Sequence, residues 1–459
     1  MSKKAKNEFA SKVGLIAATI GSAVGLGSIW RFPAEAQSNG GAAFLLLYII
    51  CIFVLGVPVM LAEFSLGRSA RSDAFDDFKK LAPGTMWWLV GVSGILASYI
   101  IGCFYMVVGG WTLEYLWESI TGGLYEGAGA ATGTTALDSL FQDKMHDYIF
   151  TPLLPTLFTA VIIIINMAVL NSGVQKGIER LSNIMMPMLF VVILVLCCVT
   201  LSLPGAEAGV KWFINPDFSK ITPMTVINAL GQTFFSLSLG MGILITYAAY
   251  YPSDTRLTKT SMIVSLLSLL IAVMMGFVIF PAVFSFGLQD HSLMGTTLVF
   301  QTLPEVFAKL PGTQIWSILF FILLFMAALT STVSIMEVTV AFLRDRFKLS
   351  RRKSCLIALS PLLVFSSVCS LSFSTLSGVK IFGMSIFDFL DMFSTNILLP
   401  ITSIGVCLFV GWFAPKNLLH DQLTNGGTVR SRVVNVVMFI IRWIAPVLIA
   451  AILVSPLFD

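Results

Sequence analysis

Two glycine pairs carry the chemistry this chain could do. Residues 21–33 read GSAVGLGSIWRFP and residues 232–247 read QTFFSLSLGMGILITY. Gly25 and Gly27, then Gly240 and Gly242, interrupt apolar stretches of membrane-spanning length. Hydrocarbon offers backbone no partner, so a break at that depth must be buried in protein or line a cavity. Amides freed at a half-helix N-terminus suit a carboxylate. Carbonyls freed at a half-helix C-terminus suit an ammonium group or Na⁺. Hydroxyls flank both breaks, at Ser22, Ser28, Ser236 and Ser238. Alone, each glycine pair equally suits close packing of helices. Two of them, both beside hydroxyls, point to a site for a zwitterion and cations. Glycine's tolerance of unusual φ accounts for the unwinding.

Covalent chemistry finds no support. HExxH, GxSxG and paired catalytic aspartates are missing, so the chain reads as a non-enzyme. The seven cysteines form no CxxC motif and lie nearly all in apolar stretches, where they act as small hydrophobes. His146, His291 and His420 share no motif, which argues against a histidine-ligated metal.

The elements that position the breaks are membrane helices. The chain has 459 residues, 57% hydrophobic and 11% charged; its mean hydropathy is +0.90. Soluble domains carry about 25% charged residues. Eleven stretches are long and apolar enough to span a bilayer: 13–38, 42–67, 86–120, 151–170, 178–202, 224–250, 261–287, 313–343, 354–373, 382–412 and 434–457. The first is too long for a cleaved signal peptide, and it carries Arg31 and Glu35 near its far end. With the N-terminus in the cytoplasm, 21 of the 28 Lys and Arg residues fall in cytoplasmic segments and 5 in outer ones. The positive-inside rule therefore puts the N-terminus inside and the C-terminus outside. The net charge of +4 calls for no nucleic-acid partner; the basic loops face anionic lipid. Between spans seven and eight, residues 288–312 predict a short re-entrant or surface helix.

The broken spans are the first and the sixth, which suggests a five-plus-five repeat. Five spans per half is odd, so the second half is inverted. The expectation is one transmembrane domain over 1–459. It divides into a first repeat at 1–202, a second at 224–412, and an eleventh helix at 434–457.

These residues resemble the neurotransmitter:sodium symporter family. The resemblance rests on AVGLGSIWRFP, Asn39-Gly40-Gly41, Ala62-Glu63-Phe64, Gly231-Gln232 with Phe234 through Gly242, and Leu329-Thr330-Ser331, collinear over roughly residues 6–412. It implies an all-α polytopic fold of the leucine-transporter type, with helices 1 and 6 unwound at the centre. It also implies Na⁺-coupled symport of a small solute by alternating access. The short outer loops and the lack of any Asn-x-Ser/Thr sequon look bacterial, implying the cytoplasmic membrane of a bacterium.

The resemblance also implies site residues. A sodium site called site 2 uses the carbonyls of Gly21, Val24 and Ala327 and the hydroxyls of Thr330 and Ser331. Hard oxygen ligands suit a hard cation. Site 1 departs from the family pattern. Ser28 and Ser268 stand where asparagine amides are usual, beside Ser236 and the Ala23 carbonyl, and hydroxyls reach less far than amides. Tyr48, Gln232 and Ser236 match chloride contacts, but Ala272 replaces the usual serine or acid, which argues against chloride dependence. Gly25 replaces the aspartate of amine transporters, so an α-amino acid must bring its own carboxylate. That carboxylate meets Tyr105 and the amides of Leu26 and Gly27. Its ammonium meets carbonyls of Ala23, Phe235, Ser236 and Ser238. Ile101, Phe235, Met241, Gly242, Ser331, Thr332 and Ile335 form an uncharged pocket, which implies neutral aliphatic or aromatic L-amino acids. The outer gate comprises Arg31, Asp391, Phe235 and Tyr105. The inner gate comprises Lys6, Phe9, Tyr250 and Asp345; Lys6 and Phe9 stand where arginine and tryptophan are common, which predicts easier inner opening. Glu63, Glu114 and Glu337 read as structural hydrogen-bonding acids. No obligatory protein partner is implied. A channel would need a continuous polar ring, which is not visible; the alternatives are an amino-acid sensor that does not transport, or a symporter for another small amine or amino-acid solute.

Overall fold

The computed structural model describes residues 8–130, 134–289, 295–429 and 433–455. Among them, nine unbroken helices are long and apolar enough to cross a membrane. These are α3 (Ala42–Ala70), α4 (Trp88–Thr121), α5 (Leu153–Asn171), α6 (Val174–Leu201), α9 (Leu257–Ser285), α10 (Thr313–Arg346), α11 (Arg351–Leu371), α12 (Ile386–Phe413) and α13 (Val434–Val454). The other two expected spans are broken. The first is α1 (Lys12–Ala23) and α2 (Gly27–Ser38), bent by 55°. The sixth is α7 (Pro223–Ser236) and α8 (Ile243–Ala249), separated by residues 237–242. Inner and outer segments carry short helices, at Ala74–Leu81, Ala206–Ile214 and Leu298–Ala308. The last fills the stretch expected to hold a re-entrant or surface helix.

Local chemistry sets the ends of the broken spans. Ser11 caps α1 by accepting the Gly14 amide at 2.8 Å. Pro33, in the first α-helical turn after Arg31, needs no amide partner there. Thr222 and Thr225 form a reciprocal cap at the start of α7, and Pro223 occupies the first turn. The α1 half packs on α6, α9 and α10, and α8 packs on α3. Helices α4 and α10 pack along each other and wall the centre. Burial is highest in α10, where Ala327 through Ala341 are all buried. By contrast α5, α6 and α13 expose apolar side chains such as Ile164, Val191 and Val447, as lipid-facing helices do.

Candidate functional site

The two breaks meet at the centre of the bundle. A cavity of about 20 Å³ between them is walled by Ala23, Gly25 and Gly27 from the first break. Phe235, Ser238 and Met241 wall it from the second, with Ile101 and Tyr105 of α4 and Ser331 and Ile335 of α10. Ser22 and Ile243 also line it, and neither was among the expected pocket residues. Ser22 was legible only as a hydroxyl beside the break. Four expected residues lie outside the wall. Leu26 lines the larger neighbouring cavity instead. Thr332 turns back to donate to the Leu329 carbonyl at 3.0 Å. Gly242 sits behind Met241, against Val338 and Ala74. Ser236 faces Tyr48 and Gln232.

Leu26 donates its amide to the Tyr105 hydroxyl at 3.0 Å. A Cβ on Gly25 would collide with the Ser331 hydroxyl and lie 2.8 Å from that of Tyr105; one on Gly27 would collide with the Phe235 ring. Neither glycine has a positive φ. The expected reason for the first break, glycine's access to unusual φ, is therefore corrected: here glycine permits close approach.

The second break is the reverse. Ser238 has φ +54°, Gly240 +76° and Gly242 +69°, all left-handed. Its freed backbone is satisfied from outside. Buried Glu63 accepts the Gly240 amide at 2.8 Å, and Ser98 donates to the Met241 carbonyl. Ser238 donates to the Ser22 carbonyl at 2.9 Å, which ties the two breaks together. Glu63, read from the sequence as a structural hydrogen-bonding acid, thus caps the backbone of the second break.

Gly21, Ala327, Thr330 and Ser331 come together below the cavity. Thr330 donates to the carbonyls of Met326 (3.0 Å) and Ala327 (3.2 Å), and Ser331 donates to that of Gly21 at 3.5 Å. With their protons directed to carbonyls, both hydroxyls retain lone pairs for a cation. Val24, the fifth expected ligand, caps α1 with its amide 2.6 Å from the Ile20 carbonyl. Around Ser236 the groups satisfy one another. Tyr48 donates to Ser236 at 2.7 Å, Gln232 donates to Ser236 at 3.2 Å and to the Gly27 carbonyl at 2.9 Å, and Ser268 donates to the Ser236 carbonyl at 3.3 Å. The Ser28 hydroxyl and Gln232 Oε1 are buried without hydrogen-bond partners. Ala272 is fully buried.

On one side of the site, a cavity of about 600 Å³ reaches to Tyr105 and Phe235, the two rings it shares with the central cavity. Arg31, Glu35 and Asp391 line it. The expected Arg31–Asp391 pair is not formed. Arg31 lies 3.7 Å from Glu35 and 4.9 Å from the Phe235 ring centre, while Asp391 accepts from Thr395 at 3.0 Å.

The opposite side, where the chain enters α1, is closed by Phe9 and Tyr250 together with Glu337 and Arg351. Lys6 lies outside the described residues. Phe9 is buried, edge-on to Tyr247 at 5.8 Å and to Tyr250 at 6.3 Å. Tyr250 donates to Glu337 at 2.8 Å, not to Asp345. Arg351 grips the same Glu337 bidentately, at 2.9 and 2.6 Å. Asp345 is held instead by its neighbour Arg344 at 2.8 Å. Glu179 of α6 accepts the Ala10 and Ser11 amides at 2.7 and 3.1 Å, pinning the chain that enters α1. A sequence cannot reveal that Arg351 reaches across a turn to the same Glu337 that accepts from Tyr250.

Comparison with known proteins now decides the family. The model of the sodium:neurotransmitter symporter family matches residues 6–132 and 144–459. The chain belongs to that family. An uncharacterised sodium-dependent transporter of Bacillus subtilis (strain 168) is 36% identical over 98% of this chain and 97% of its own. One from Haemophilus influenzae is 35% identical over 99% of both. The crystal structure of MhsT in complex with L-phenylalanine superposes with a TM-score of 0.87 at 38% identity, covering 98% of this chain and 99% of that one. The protein is therefore a sodium-coupled, multi-span helical transporter of the leucine-transporter fold, handling a small molecule.

Proposed function

We propose that this protein imports neutral hydrophobic L-amino acids across a bacterial cytoplasmic membrane. The observation that carries the reading is the central cavity, where two broken helices meet and no wall residue bears a charge. A substrate there must supply its own carboxylate and ammonium. The carboxylate takes the amides after Gly25 and the Tyr105 hydroxyl; the ammonium takes carbonyls of Ala23, Phe235, Ser236 and Ser238. The side chain lies against Ile101, Met241 and Ile335. The central cavity holds little more than one water-sized group, so Phe235 or Met241 must move to admit an amino acid. The solved relative carries L-phenylalanine, which agrees with an aromatic or aliphatic side chain.

Na⁺ enters as co-substrate at Gly21, Val24, Ala327, Thr330 and Ser331. Site 1, at Ala23, Ser28, Ser236 and Ser268, is weak, so one Na⁺ accompanies each amino acid. Chloride is not required. The donors of Tyr48 and Gln232 are already engaged, and the unpartnered Gln232 Oε1 is an acceptor that repels an anion. Residues 1–202 and 224–412 form two inverted repeats whose relative rocking alternates access, with the N-terminus inside and the C-terminus outside. Arg31 and Asp391 pair when the outer path closes. Glu337, Arg351 and Tyr250 release when the inner path opens; this latch makes inner opening harder than Lys6 and Phe9 alone would suggest.

Uptake of labelled leucine and tryptophan into proteoliposomes, with and without an inward Na⁺ gradient, tests the reading. Accumulation that follows the gradient and survives replacement of chloride by gluconate is expected. Strong competition by glutamate or lysine with none by leucine overturns the substrate class. Binding without gradient-driven accumulation makes the protein a sensor instead.

A further inference from the structure

We propose that a cleft between α1 and the start of α9 binds the headgroup of an anionic phospholipid. The cleft, of about 390 Å³, is lined on one side by Lys12, Leu15 and Ile16 and on the other by residues from Asp254 to Ile263. It takes the cytoplasmic placement of this face from the charge asymmetry of the loops.

Its polar rim has an excess of positive charge. Lys12 pairs with Asp254 at 2.8 Å. Arg256 and Lys259 pair with no acid among the described residues, and both are exposed. They stand at the N-terminus of a 29-residue helix with no acid in its first turn. That end of a helix is itself electropositive and favours anions, so two cations there repel it and each other. Thr255 adds a second, independent sign: it is only 4% exposed, and its hydroxyl is buried with no hydrogen-bond partner. Its loop is held in place by Arg68, which donates to the Thr255 carbonyl at 2.5 Å.

The floor is apolar. Leu15 is 1% exposed and Ile16 and Ile263 are half-buried. On the same two helices, Val13, Met262 and Leu266 are exposed, as lipid-facing side chains are. A free phosphate would use the rim and leave the floor bare; a phospholipid uses both. Basic pockets between helices at the cytoplasmic boundary recognise anionic headgroups in this way. A lipid seated here bridges the half-helix before the first break and the start of α9, and so strengthens the closed cytoplasmic side.

The test is thermal melting of the full chain in detergent micelles with added dioleoyl phosphatidylglycerol, phosphatidylcholine or soluble glycerol phosphate. Phosphatidylglycerol alone is expected to raise the melting temperature, with saturation. In Arg256→Ala/Lys259→Ala its half-saturating concentration rises about thirtyfold, the loss of two charges facing an anionic headgroup. Ile263→Trp, which keeps both charges and fills the floor, also abolishes the shift and covers the case in which the double variant does not fold. Arg352→Ala/Lys353→Ala, exposed cations outside the cleft, leaves it unchanged. An equal shift with phosphatidylcholine, a full shift with glycerol phosphate, or equal loss in the Arg352/Lys353 control overturns the proposal.

Discussion

At the first break neither glycine takes a left-handed backbone; between Ser238 and Gly242 three residues do. The first break is held open by what its glycines leave room for, namely Tyr105, Ser331 and Phe235. The second is held by the shape of its own backbone and by outside caps, Glu63 on the Gly240 amide and Ser98 on the Met241 carbonyl. One break is thus a place where groups can approach, and the other a fixed turn. The same G-x-G spelling hides two physical uses of glycine.

The sharpest way to break this comparison is alanine at each site. Gly240→Ala forces a side chain into a left-handed residue, which costs about 1–2 kcal/mol. Its Cβ would also lie 2.5 Å from the Leu399 carbonyl oxygen and from the Ser403 hydroxyl. The backbone cannot yield as a side chain can, so folded yield and melting temperature should collapse. Fluorescence-detected size exclusion checks it. A monodisperse Gly240→Ala protein melting like wild type removes the idea of a fixed turn.

Gly25→Ala should do the opposite. No backbone strain arises at its φ. The new Cβ meets only the ends of Ser331 and Tyr105 side chains, so the fold survives and the site does not. Overpacking of this kind costs about 1–3 kcal/mol, or about ten- to hundredfold in substrate affinity. Scintillation-proximity binding beside a melting curve checks the split. Loss of folding in Gly25→Ala, with affinity intact in the survivors, would erase the difference between the breaks.

How much of this was legible follows the same divide. The eleven spans, the two interruptions and ten of the cavity's wall residues came from hydropathy and from the family resemblance, because both depend on residue type at fixed spacing. What was not legible depends on where long side chains end. Glu337 sits in α10 and Arg351 begins α11, yet both reach Tyr250 or its partner. Among the described residues, Asp345 pairs with its neighbour Arg344. Arg31 prefers Glu35 one turn away. Local pairs are available in every state of the protein, whereas gate pairs exist in one, and a sequence carries no mark of state.

A smaller effect sharpens the comparison at Met241, the residue the second break presents to the cavity. Met241→Ala removes an adaptable side chain from the wall without touching the backbone turn. One or two methylenes in a pocket are worth about 1–3 kcal/mol in discrimination. The leucine-to-tryptophan uptake ratio should shift by about tenfold toward tryptophan, with the melting temperature little changed. An unaltered ratio would place specificity elsewhere, at Ile101 or Ile335.

The smallest expected effect is one of pH, and it reaches only the second break. Gly242 packs against Ala74, the first residue of the surface helix Ala74–Leu81. Asp73 caps that helix, accepting the Phe75 and Asp76 amides at 3.0 and 3.2 Å. Burial pushes its carboxyl up to about 7, and burial with Asp73 nearby pushes Asp77 up as well. An acid raised in the folded state holds its proton where the unfolded chain has released it. Its contribution is therefore complete below the unfolded value of 3.8 and is lost as pH rises through about 7. The Asp73 contribution to melting temperature should fall as pH rises from 5 through about 7. Asparagine caps helices as well as aspartate does, so Asp73→Asn should keep the fold and lessen that slope. Calorimetry across the range checks it, with Gly25→Ala in the same series. If the slope instead depends on the first break, the surface helix does not serve the second one, and the division of labour between the two breaks fails there.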